Sequence, residues 1–177
     1  MDPLFGVFIG GMFTLLGAII AGLARDELES YRVEYQRRKN LQSLLFLIDG
    51  ELVKVQKLFQ VGLHFPLMVD AYDLLKSSRL LDMLTIDLRA DLMIIYSNIE
   101  TINYMLERFD RYAVSTAVDQ QQRDKIADST HESIANIQKD TIPRIDECQS
   151  KIAYMILELN KKPSWLSFGG TNAVSNL

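Results

Sequence analysis

The chain has 177 residues, 48% of them hydrophobic, and its 19 Lys and Arg against 23 Asp and Glu leave a formal charge of −4. That balance excludes a general nucleic-acid binder, whose surface is basic over much of its area. A single cysteine, Cys148, excludes an intramolecular disulfide framework and suits a reducing compartment.

From Pro3 to Ala24 no side chain ionises, and Thr14 is the one hydroxyl among Leu, Phe, Val, Ile, Met, Ala and Gly. As a helix this run of about 22 residues spans roughly 33 Å, the thickness of a hydrocarbon core. A secretory signal needs a basic start and a shorter apolar stretch, whereas Asp2 is the one charged side chain before the run. A buried core helix seldom stays apolar on every face for six turns. The expectation is therefore a transmembrane helix over 1–24. Arg25, Arg32, Arg37, Arg38 and Lys39 follow it closely, so the N-terminus is expected outside and the remaining chain, long enough for one core, in the cytoplasm.

Small residues recur along this run on two adjacent stripes, Gly6, Gly10, Gly17 and Ala21 on one and Gly11, Ala18 and Gly22 on the other. Lipid gives helices no hydrophobic reason to associate, so close approach over small residues supplies it through packing. Two such faces let one helix touch two neighbours, as in a ring of copies. Thr14 and the small stripes would line any lumen, which could close by dewetting.

Beyond the run the spacing is helical throughout. The segment 25–62 reads as a stalk helix entering the bundle: Leu28, Tyr31, Tyr35, Leu41, Leu44, Leu45, Ile48, Leu52, Val55, Leu58 and Phe59 recur at three- and four-residue steps. Gly50 is its weak point, costing about 1 kcal/mol against Ala. Arg37, Arg38 and Lys39 form a basic group that could meet lipid, protein or RNA. On a straight helix Lys39 stands roughly 21 Å beyond Arg25, outside the reach of about 8 Å of a lipid surface potential, which leaves a solvated helix face as the plainest account.

A bundle is expected over 63–162. Gly62 can stop the first helix and Pro66 can open a second, over Pro66 to Lys76. The stretch "KSSRLLDMLT" reads as a turn or short helix. Thr85 is placed to cap a long helix over Ile86 to Tyr112, whose Leu88, Leu92, Ile95, Ile99, Ile102, Met105, Leu106 and Phe109 form one stripe. After the polar connector "AVSTAVDQQQ" a last helix is expected from Lys125 to Asn160, with a narrow seam of Ile126, Ile134, Ile137, Ile142, Ile145, Cys148, Ile152, Met155, Ile156 and Leu159. Pro143 should kink or divide it. The segment 163–177 reads as an irregular, flexible tail. The predicted fold is all-α, one membrane helix continuing into an up-and-down bundle of long helices.

No catalytic constellation, cofactor site or metal site is legible, so a non-enzymatic protein is expected. His64 falls in a helix break and His131 on a polar surface. Asp87 and Asp91 share a helix face but are explained by their place near a helix N-terminus. Cys148 lies on the apolar stripe, Arg123 and His131 are too far apart for a helical-nuclease pair, and Gly169–Gly170 lacks a following phosphate-loop Lys.

The glycine-rich "FIGGMFTLLGAIIAG", the charged stalk and "LLDMLTIDLRADLMIIYSNIETINYMLE" resemble small bacterial single-span helical membrane proteins of the phage-defence type. In layout the chain is similar to CRISPR-associated accessory proteins that assemble as membrane pores. The resemblance implies a bacterial inner-membrane location, a homo-oligomeric ring and a defence-system nuclease or RNA complex as partner. It transfers no binding residue. The alternative is a passive anchor that holds a cytoplasmic partner at the bilayer; an exposed groove on a monomeric bundle would favour it.

Overall fold

The computed structural model describes residues 3–61, 66–114 and 119–161, with side chains left out for 3–11, 13, 113 and 114. Four α-helices carry these residues: α1 (Pro3–Val61), α2 (Asp70–Ser77), α3 (Ile86–Val114) and α4 (Gln120–Asn160), with a short 3-10 turn at Leu81–Met83. There is no strand among the described residues. The chain divides into two compact units, 1–40 and 41–177, at the point in α1 where burial begins with Leu41.

The described side chains of the first unit, all on α1, form no core. Every described side chain from Thr14 to Asn40 is exposed except Arg38, which is half-buried. What holds the charged part is local: Arg38 pairs with Glu34 at 3.4 Å, Gln36 donates to Asn40 at 2.9 Å, and the Tyr31 hydroxyl donates to Glu27 at 3.3 Å. Such i,i+4 pairs contribute a few tenths of a kcal/mol each. Among the described residues no helix is long and apolar enough to cross a membrane. The part of the uncharged run with described side chains, Met12–Ala24, is about 20 Å of helix against the roughly 30 Å a bilayer requires.

The second unit is a bundle. On α1 the fully buried Leu41, Leu45, Ile48 and Leu52 continue into Val55 and Phe59 at alternating steps of four and three, the spacing that keeps one seam on a facing helix. They meet Leu88, Leu92, Ile95, Ile99 and Ile102 of α3 and Ile134, Ile145, Cys148 and Ile152 of α4. Hydrogen bonds fix the directions. Gln42 to Asn160, Gln149 to Asp49 and Gln56 to Asp146 run α4 antiparallel to α1, and Asn98 to Thr141 with Lys151 to Asp91 run it antiparallel to α3.

The up-and-down expectation holds with a correction to the second leg. The helix predicted from Pro66 begins instead at Asp70, because Asn103 holds the Leu67 backbone on both sides, accepting from its N–H at 2.7 Å and donating to its carbonyl at 2.8 Å. This leg is only eight residues long. Arg79, at φ 57°, follows its C-cap Ser78 in the left-handed region that ends helices at a cost of about 1 kcal/mol for a residue with a Cβ.

Thr85 caps α3 as predicted, its hydroxyl accepting from the Leu88 N–H at 3.4 Å. α4 starts five residues earlier than predicted, because Asp119 caps it by accepting from the Gln122 N–H at 2.7 Å. Nor does Pro143 divide α4. It lies inside the helix on an exposed face, where the carbonyl of Lys139, deprived of its usual donor, can turn to water. Buried Thr141 beside it donates to the Ile137 carbonyl at 2.6 Å.

Candidate functional site

The described part of the uncharged run is sharply two-sided. At 100° per residue, Met12, Leu15, Leu16, Ile19, Ile20 and Leu23 occupy one half of the circumference, while Thr14, Gly17, Ala18, Ala21 and Gly22 occupy the other. The six bulky side chains are 47–66% exposed. Together they present roughly 600 Å² of apolar surface, worth about 15 kcal/mol if removed from water. Soluble monomers seldom expose a contiguous apolar patch of that size. On the small half, a Cβ built on Gly17 or Gly22 would meet nothing within 4 Å, so this face has room for a neighbouring backbone. Of the residues singled out in the sequence, Gly6, Gly10 and Gly11 lie on α1 with their surroundings left undescribed, and His64 and the tail 163–177 lie outside the described residues.

The basic group does not converge. Arg37 is exposed, Arg38 faces Glu34, and the Lys39 ammonium lies 5.2 Å from the centre of the Tyr35 ring. Consecutive positions on a helix point 100° apart, so the three cations serve three directions.

Within the bundle, sequence reasoning missed two polar clusters. Glu51 of α1 accepts from the Ala71 N–H at the start of α2 (2.8 Å) and from the buried Tyr96 hydroxyl of α3 (2.8 Å). Tyr96 stacks on Tyr72 with ring centres 4.3 Å apart. Burial, then the hydrogen bond to Glu51 and its charge, push the Tyr96 phenol far above the ordinary range. The second cluster is Asp91, buried in α3, which accepts from Lys151 at 2.5 Å and Arg144 at 3.2 Å on α4, while Lys151 also reaches Glu147 at 2.7 Å. Asp91 is therefore an inter-helix tie, not a helix-end charge as the sequence suggested. The Lys151 ammonium is held above its usual range by its bonds to Asp91 and Glu147.

Cys148 is fully buried beside this cluster, and burial, with the Asp91 charge second, pushes its thiol from 9.0 up to about 12. A thiol held neutral is a poor nucleophile. Cys148 is expected to react with a disulfide reagent only as fast as the chain unfolds, which a comparison of labelling in buffer and in denaturant checks. The pH dependence follows. Near pH 9 the unfolded thiol ionises while the folded one keeps its proton, so its contribution to stability is complete below 9 and falls as pH rises toward 12.

An opening of about 590 Å³ lies between the outer ends of α3 and α4, bordered by Tyr104, Arg108, Phe109, Tyr112 and Lys125. Arg108 is committed there to Tyr112, donating to its hydroxyl at 3.3 Å, and the His131 ring stands 6.3 Å from Phe109. No group of three or more His, Cys, Asp or Glu among the described residues could hold a metal ion. No family model, curated protein or solved structure matches the chain.

Proposed function

We propose that Pro3–Ala24 crosses a lipid bilayer with the N-terminus outside, and that copies of the chain associate through the small-residue half of this helix. The protein is then a non-enzymatic, inner-membrane assembly that alters permeability. The segregation of bulky from small side chains over Met12–Ala24 carries the reading. Lipid covers the bulky half, whose side chains are exposed among the described residues. The small half lets sister helices approach closely enough for dispersion and Cα–H contacts to hold them. The five basic residues from Arg25 to Lys39 set the direction of insertion. The phage-defence setting rests on the resemblance of layout and supplies the context in which leakage acts.

In dye-loaded vesicles the wild-type chain is expected to form a multimer of defined mass and to release dye. Gly10→Leu combined with Gly17→Leu should leave insertion intact and abolish both the assembly held through the span and the leakage. Assembly and release unchanged by these substitutions would refute the reading. Full activity after exchanging the span for an unrelated apolar helix would leave a passive anchor.

A further inference from the structure

A groove of about 530 Å³ runs between α1 and α2, entirely within the bundle unit. Phe46 and Leu47 of α1 form one wall, Met68 and Leu74 the other, and all four are 52–68% exposed. Gly50 lies in its lining with nothing within 4 Å of a Cβ built on it. Those four side chains expose roughly 400 Å² of apolar surface. A standard interface buries about 800 Å² per partner, a little over half of it apolar. The patch is thus close to the apolar share of one full interface.

Its charges are complementary to themselves. Lys54 stands on the α1 wall and Asp70 on the α2 wall, and neither has an ion-pair or hydrogen-bond partner among the described residues. A two-fold axis running along the groove would set the α1 wall of each copy over the α2 wall of the other, with Lys54 on the side of Asp70 and apolar wall on apolar wall. Isologous contacts of this kind are self-limiting.

We propose that the α1/α2 groove is the docking surface for a second copy of this chain, with Phe46, Leu47, Met68 and Leu74 at its centre and two Lys54–Asp70 pairs at its rim. This contact lies outside the uncharged run and holds whether or not that run assembles in a bilayer.

The test uses the full chain in detergent, in the Gly10→Leu/Gly17→Leu background so that contacts between the spans do not contribute. The expected particle is a dimer, in which a zero-length carbodiimide joins Lys54 to Asp70 between chains. Gly50→Leu fills the groove while improving helix propensity, so it should yield a folded monomer. Lys54→Asp and Asp70→Lys should each weaken the dimer by at least about tenfold, and the two together should restore it. A monomer in this background, a dimer indifferent to Gly50→Leu, a failed charge exchange, or a groove found filled by lipid or by a different protein would each overturn the proposal. A monomer in this background, beside a chain with the wild-type span that still multimerises and releases dye, would sink the groove contact and leave the span reading standing.

Discussion

Glu51→Ala is expected to destabilise the bundle by about 2–4 kcal/mol, because two donors lose a charged acceptor at once. One is the Ala71 N–H in the first turn of α2, a group with no intrahelical partner. The other is the hydroxyl of Tyr96, 1% exposed and out of reach of water. Glu51→Gln separates the contributions. Its amide oxygen can replace one carboxylate oxygen, but its NH₂ turns a second donor toward a donor, so about half the loss should remain. Tyr96→Phe removes the stranded hydroxyl. In the Glu51→Gln/Tyr96→Phe double variant the loss should fall short of the sum of the singles, the mark of two residues in one contact. Urea denaturation of the detergent-solubilised chain, followed by helical circular dichroism, measures all four.

The same contact gives a pH signature of defined sign. Near pH 10 the phenol of the unfolded chain ionises, whereas Tyr96 in the folded chain keeps its proton. Its stabilisation is complete below pH 10 and declines above it, and Tyr96→Phe should remove that part of the decline. Structure and association are also linked here. Glu51 anchors the start of α2, and α2 is one wall of the groove that carries Lys54 and Asp70. Glu51→Ala should accordingly weaken dimerisation more than an equally destabilising core substitution on α4.

What the sequence made legible was periodicity. Leu41, Leu45, Ile48, Leu52 and Val55, then Leu88, Leu92, Ile95, Ile99 and Ile102, stand out at helical spacing, and all are buried. Thr85 before Ile86 announced its cap, because capping is settled within four residues of chain. Polar ties were illegible for the opposite reason. Glu51, Asp91, Asn98 and Asn103 resemble ordinary solvated helix residues, and their partners lie between 20 and 60 positions away. Only the packing of one helix on another brings these pairs together.

The start of α2 was misplaced on the same account. Pro66 is a sound local signal for a first helical turn, but Asn103 holds Leu67 in a non-helical link. Pro143 leaves α4 undivided because its face is exposed, where water can take the place of the lost donor. The two-sidedness of the uncharged run, by contrast, needs no tertiary contact to be seen, since side-chain size and a 100° step suffice.

Asp91→Ala is expected to cost about 2–3 kcal/mol. Removing one member of a fully buried ion pair costs about 3–5 kcal/mol, because a charge is stranded in a poor solvent. Here the cations left behind are half-exposed, Arg144 at 42% and Lys151 at 31% of their side-chain surface, so both can turn to water and the loss falls below that range. Removing the cations instead should be worse, because Asp91 is only 7% exposed and cannot follow them out. Arg144→Ala with Lys151→Ala should therefore destabilise the chain more than Asp91→Ala, although both variants break the contacts to Asp91. Equal losses from the two ends would mean that the cluster is solvated and does not tie α3 to α4.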